Sequence, residues 1–155
     1  MSRDVADSVA NNVVTGRSTT PTTPFDWNAA RIGDALPSYQ YELTQAMIDK
    51  YRAAVEDPQA RFPTIAVKED TVSFYKRYHD VGSVNARCSF YCYAPPEPGT
   101  RITVKAWIAD KYQRRNKPYL VTESVSVDEN GNLIDRVITH ELKRPLEVGE
   151  KWNVR

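Results

Sequence analysis

The sequence predicts an α+β domain, and three observations carry that prediction. Residues 45–55 place Met47, Ile48, Tyr51 and Val55 on one face at helical spacing. From Val84 onward, apolar and polar residues alternate with the period of two that marks half-buried strands. Turn signals separate the alternating runs: Pro95-Pro96 with Pro98-Gly99, the basic stretch Asp110–Lys117, and Asn130-Gly131. Long antiparallel strands behind a helix-bearing N-terminal half make a sheet with helix packed on one face.

Residues 1–30 read as a flexible arm. Ser18-Thr19-Thr20-Pro21-Thr22-Thr23-Pro24 carries two prolines and no apolar side chain, so it cannot nucleate a core. Phe25 and Trp27 at its end are placed to pin it to the body, a single domain over residues 31–155. Gly33-Asp34-Ala35-Leu36-Pro37 reads as a loop and Tyr39–Leu43 as a short strand. Thr44 is the expected N-cap of the helix over 45–55, with Leu43 and Ile48 spaced as a hydrophobic staple and Pro58 ending the element. Glu69–Tyr78 reads as a second, weaker helix. In the first long strand, Val84, Ala86, Cys88, Phe90 and Cys92 alternate with Asn85, Arg87, Ser89, Tyr91 and Tyr93. Ile102–Ile108, Tyr119–Val127 and Leu133–Leu142 supply the remaining strands.

Composition narrows the function classes. The 155 residues suit one domain, and 41% hydrophobic with 26% charged is an ordinary globular balance. Lys and Arg number 21 against 20 Asp and Glu, a net charge of +1. Such a chain has no global attraction for nucleic acid or anionic lipid, and neither is an expected partner. Its apolar runs are far shorter than the roughly 18–20 residues that span a bilayer. Arg3, Asp4 and Asp7 precede a short polar segment, Ser8–Val14, unlike the apolar core of a signal peptide. Cys88 and Cys92 on one strand lie about 13 Å apart at 3.3 Å per residue. That exceeds the roughly 7 Å limit for a disulfide. Two buried free thiols fit a reducing compartment, so the expected location is cytoplasmic.

Several segments then carry a family likeness. Ile32-Gly33-Asp34, Tyr41-Glu42-Leu43-Thr44 and the helix running on to Asp57-Pro58 resemble the opening of MaoC-like hydratases and dehydratases. Tyr93-Ala94-Pro95-Pro96-Glu97-Pro98-Gly99-Thr100 looks like the family's turn into a long strand. Ile108–Tyr119, followed by Asp128-Glu129-Asn130-Gly131, is similar to its strand–turn–strand. The likeness covers residues 30–145 and rests on the order and spacing of these pieces. It implies a hot-dog fold, an antiparallel sheet wrapped round a central helix and associating as a dimer. It also implies acyl thioesters of coenzyme A or a carrier protein as substrates, with no further cofactor.

The departure from the family lies in its catalytic motif. Active members follow the first helix with Gly-Asp-x-Asn-Pro-Ile-His, whose Asp and His act as acid and base on one substrate atom. The matching segment here is Glu56-Asp57-Pro58-Gln59-Ala60-Arg61-Phe62. Asp57 falls on the Asp, Gln59 on the Asn and Phe62 on the His. A phenylalanine cannot transfer a proton.

Two histidines are available as substitutes. His79, with Asp80 beside it as an orienting partner, is the candidate acid–base residue alongside Asp57, set against the plainer reading of an exposed loop histidine. His140 lies between Thr139 and Glu141 in the last strand, where a cross-strand hydrogen bond is the simpler expectation. Asp57 is either half of a dyad or a turn carboxylate beside proline. Phe62, Tyr75 and Tyr78 are candidate substrate-binding residues. So are Asn85 and Arg87, on the strand face opposite the cysteines, set against the plainer reading of a solvent-facing or subunit-facing surface. Arg114, Arg115 and Lys117, with Lys111, form a basic turn suited either to coenzyme A phosphates or to solvent. No Gly-rich phosphate loop, nucleophile elbow or metal-ligand spacing occurs.

Three functions remain open. The chain is a hydratase or dehydratase subunit whose missing dyad comes from a partner hot-dog chain, in a homodimer or heteromer. Alternatively it performs altered chemistry such as thioester hydrolysis, or it is a non-catalytic binding or structural protein.

Overall fold

Residues 23–64, 69–79 and 82–143 are described by a computed structural model of the chain. In chain order the elements are β1 (Thr23–Pro24), β2 (Ala35–Glu42), α1 (Gln45–Val55) and α2 (Glu69–Arg77). Then come β3 (Tyr78–His79), β4 (Ser83–Cys92), β5 (Arg101–Arg114), β6 (Lys117–Val127) and β7 (Leu133–Lys143). The alternating runs form a five-stranded sheet in the order β2-β5-β6-β7-β4, with every neighbouring pair antiparallel. The α+β class read from the sequence is the class of the structure.

Helix α1 starts as its sequence dictates. The Thr44 hydroxyl accepts from the backbone N–H of Met47 at 3.3 Å, and Leu43 and Ile48 share one core cluster. Its end differs from expectation. Glu56 adopts the left-handed conformation at φ 56°, and the N–H groups of Glu56 and Asp57 bond back to Ala53 and Arg52. This double bond pattern terminates the helix before Pro58 is reached. Helix α2 stops at Arg77, because Tyr78 and His79 pair in parallel with Thr23 and Pro24.

The register defines two sheet faces. One face carries the rows Val104–Ser126–Asp135–Cys92, Ala106–Ser124–Val137–Phe90 and Ile108–Thr122–Thr139–Cys88. Helix α2 packs on this face over β2, β5 and β6. The core has two centres along β5. Tyr41, Leu43, Ile48, Phe62, Ile102 and Val104 form one near its start. Leu36, Phe74, Tyr78, Ala106, Ile108 and Leu120 form the other. Lys143 is buried beside the second, its Nζ 2.6 Å from a Glu141 carboxylate oxygen and 3.9 Å from the Phe74 ring centre.

Because α2 lies over the β2 side, the β4 side of the same face is uncovered among the described residues. Cys88 and Cys92 were expected to be buried, and both are exposed free thiols. Cys88 Sγ accepts a weak hydrogen bond from Thr139 at 3.8 Å. A second correction concerns the same strand. A bulge at Ala86 pairs Asn85 with Glu141 and Arg87 with His140. Neighbouring residues of β7 point to opposite faces, so Asn85 and Arg87 do so too. Asn85 shares the face of the cysteines, and only Arg87 lies opposite.

The turns also refine the reading. The basic stretch is mostly strand: β5 runs to Arg114, and only Arg115 and Asn116 turn, both left-handed at φ 53° and 59°. At the next turn, Asp128 Oδ1 accepts from the N–H groups of Asn130 and Asn132 at 2.9 and 2.8 Å. Of the arm expected over residues 1–30, residues 1–22 lie outside the described residues. Phe25 packs edge-on against Phe74 and Tyr78, and the Trp27 indole donates to the Tyr119 carbonyl at 3.1 Å. Residues 144–155 also lie outside the described residues.

Candidate functional site

Helix α1, the loop through Gln59, Arg61 and Phe62, and the turn of residues 95–98 line a cavity of about 460 Å³, within the range of small-molecule sites. Its floor is Ile48 and Phe62, each 5% exposed. Phe62 is held by an edge-to-face contact with Tyr51, ring centres 5.5 Å apart. One wall is the loop through Gln59 and Arg61, the other the proline turn Pro95, Pro96 and Pro98. Both walls are anchored. Arg52 Nε donates to the Ala60 carbonyl at 3.0 Å, and Gly99 N–H donates to the Leu43 carbonyl at 2.7 Å.

Asp57 is exposed at the end of α1, and its Oδ1 accepts from the Gln59 N–H at 2.8 Å. It faces an open depression bordered by Asp49, Glu56 and Pro58, which adjoins the Phe62 cavity and shares only Arg52 with it. The position matching the lost histidine and the position matching the retained aspartate therefore line different concavities.

His79 is further away. Its backbone carbonyl accepts from Phe25 N–H at 2.9 Å, and its side chain is exposed. It follows Tyr78, which packs in the cluster of Ile108 and Leu120, whereas α1 packs in the cluster of Ile102 and Val104. Ile102 and Ile108 are six positions apart on β5, about 20 Å at 3.4 Å per residue. Asp57 and His79 therefore stand beside different core centres. Asp80, the expected orienting partner, lies outside the described residues. Tyr78 is 8% exposed and packed into the core, while Tyr75 is 39% exposed on α2.

Asn85 and Arg87 are exposed on β4, the edge strand. Arg114, Arg115 and Lys117 stand at the opposite end of the fourteen-residue β5 from the proline turn. That is about 40 Å along the strand, beyond the reach of one pantetheine arm from this cavity. His140 makes its cross-strand contact with the Tyr112 hydroxyl at 3.2 Å. Among the described residues no group of three or more His, Cys, Asp or Glu is placed to hold a metal.

Sequence reasoning passed over Arg52, Arg61 and the prolines as lining residues. The signal was present for Arg52: Gln45, Ile48 and Arg52 follow the i, i+3, i+7 spacing of one helix face.

The fold can now be compared with known proteins. A monoamine oxidase regulatory protein from Archaeoglobus fulgidus superimposes with TM-score 0.66 at 13% identity, over 83% of this chain and 99% of that one. The MaoC-like dehydratase from Rhodospirillum rubrum matches with TM-score 0.59 at 16% identity, over 77% and 97%. The chain has the hot-dog fold. A C-terminally truncated HadBC 3R-hydroxyacyl-ACP dehydratase complex from Mycobacterium tuberculosis shares this hot-dog core with TM-score 0.57 at 16% identity, over 72% and 96%. No family model matches the sequence, and no curated protein matches it. Identities this low establish the hot-dog fold and leave function to the site. Among the described residues no helix is long and apolar enough to cross a membrane.

Proposed function

We propose that the chain is a subunit of a MaoC-like hydratase or dehydratase acting on acyl thioesters, and that a partner hot-dog chain supplies the catalytic Asp and His. The observation that carries this reading is Phe62. It stands where the resemblance sets the catalytic histidine, and it is the apolar floor of a small-molecule cavity. The position has kept its place beside a cavity and lost its proton.

Two further features support association. Strand β4 is a ten-residue edge, and Val84, Tyr91 and both cysteines are exposed along it. An edge of this length with exposed apolar side chains is suited to pairing with another chain. One of the similar folds belongs to a HadBC 3R-hydroxyacyl-ACP dehydratase complex. On this reading, Arg114, Arg115 and Lys117 meet the phosphates of a thioester seated in the partner's cavity, because their own is too distant.

The test is hydration of short, long and aromatic enoyl-CoA thioesters by the purified chain, alone and with a candidate partner hot-dog chain. Activity only with the partner is the expected result. Activity by the chain alone, abolished by Asp57→Ala or His79→Ala, overturns the half-site reading and indicates an unaided catalyst. Hydrolysis of the thioester in place of hydration indicates altered chemistry.

A further inference from the structure

We propose that the Phe62 cavity selects an anion carried on an apolar chain, with the guanidinium groups of Arg52 and Arg61 as its receptor. This deepens the thioester reading by naming the chemistry of the ligand. The cavity joins an apolar floor, Ile48 and Phe62, to two guanidiniums on its rim. Arg52 is half-buried, and its Nε bond to Ala60 fixes the plane of the group while leaving both terminal nitrogens to donate. Arg61 makes no hydrogen bond or ion pair among the described residues. Neither arginine has a carboxylate within ion-pair distance there, although Asp49, Glu56 and Asp57 border the adjoining depression that Arg52 shares.

The cavity's one acidic lining residue is Glu97, so its rim holds two positive charges against one negative. The first turn of α1, which contributes Gln45, has no acidic residue. A preorganised guanidinium that spends no donor on a protein carboxylate is suited to a carboxylate or phosphate oxygen. Two sources share this chemistry. One is a carboxylate at the end of an acyl chain, and the other is the phosphate of the pantetheine carrier.

The experiment is isothermal titration of the full chain with hexanoate, its neutral analogue hexanamide, and phosphopantetheine. Hexanoate or phosphopantetheine is expected to bind at least about tenfold more tightly than hexanamide, the effect of one charge-assisted contact. Arg61→Gln, which disturbs no internal bond, is expected to remove most of that difference, and Arg52→Gln the rest. Preference for hexanoate assigns the anion to the acyl end, and preference for phosphopantetheine assigns it to the carrier. Equal binding of hexanoate and hexanamide with no binding of phosphopantetheine, no binding of any compound, or anion affinities unchanged in both variants overturns the proposal. The titration needs neither a partner chain nor turnover. Absent anion binding beside partner-dependent hydration would sink this inference alone, and anion binding without hydration would sink only the half-site reading.

Discussion

Phe62→His restores the residue type that the family resemblance sets at this position, and the structure fixes what the change must do. Phe62 is 5% exposed and meets Tyr51 edge-to-face. Losing that aromatic pair costs about 0.5–1.5 kcal/mol. An imidazole there has two ring nitrogens to satisfy, and leaving one unpaired costs about 1–3 kcal/mol. Together the variant should be destabilised by about 2–4 kcal/mol. Phe62→Leu loses the same aromatic pair but leaves no polar atom unpaired, so it should be the less destabilised of the two by about 1–3 kcal/mol. Burial also holds the imidazole neutral, lowering its folded pKa below the unfolded value of about 6.5. The unfolded chain then takes up the proton first, so the variant loses further stability as pH falls through about 6.5. Urea unfolding followed by tryptophan fluorescence at neutral and mildly acidic pH measures both effects. Hydration of crotonyl-CoA measured alongside should remain absent, because Asp57 faces the adjoining depression. A variant as stable as the parent, or one that gains Asp57-dependent hydration unaided, would refute the placement of these two side chains.

Three further outcomes follow from local geometry. Glu56→Gly relieves a left-handed non-glycine residue at the end of α1 and should raise stability by about 1 kcal/mol, read as a higher urea midpoint with unchanged slope. Ser124 is fully buried between Ala106 and Val137, and its hydroxyl has no hydrogen-bond partner among the described residues. Ser124→Ala should therefore be neutral or stabilising by up to about 1 kcal/mol, and a loss in thermal unfolding would show that the hydroxyl is satisfied. The Asn132 side-chain hydrogen bond, helped by the N–H groups of Asn132 and Asn130, holds the Asp128 carboxyl below its ordinary value. Its contribution is complete above the unfolded carboxylate pKa and disappears as pH falls through the lower folded one. Carbon-detected NMR titration should show Asp128 titrating below the ordinary aspartate value, and Asn132→Ala should return it toward that value.

The parts of the fold legible in the sequence were those fixed by local chemistry. The Thr44 cap, the staple of Leu43 and Ile48, and the alternation of Ile102 to Ile108 all appear in the structure as read. What local pattern missed depends on partners distant in sequence. Alternation puts Cys88 and Cys92 on one face correctly, but whether that face is covered depends on where α2 lands, and it lands over β2, β5 and β6. The bulge at Ala86 is invisible to a period-two count, because it arises from pairing with β7, and it moves Asn85 to the other face. Tyr78 continues a helical pattern, yet pairing with Thr23 draws it into a strand. The site followed the same rule. The cavity's helical face could be read from Gln45, Ile48 and Arg52, whereas its opposite wall, the proline turn, comes from more than thirty residues away.

The separation of the titratable groups is what makes a second chain necessary for the proposed chemistry. General acid–base catalysis requires both groups within hydrogen-bond reach of one substrate atom. Asp57 is at the α1 end of the core, His79 beyond the other core centre, and His140 is committed to Tyr112 on the sheet face turned away from α2. The two core centres beside which Asp57 and His79 stand are about 20 Å apart along β5, more than side-chain rotation spans. The cavity itself holds arginine, glutamine, glutamate and proline beside its apolar floor, a set that binds and orients but lacks a histidine to share a proton with a carboxylate. A chain with this distribution supplies shape and charge. On the proposed function, proton transfer on a thioester seated against Phe62 comes from residues that another chain brings to the rim.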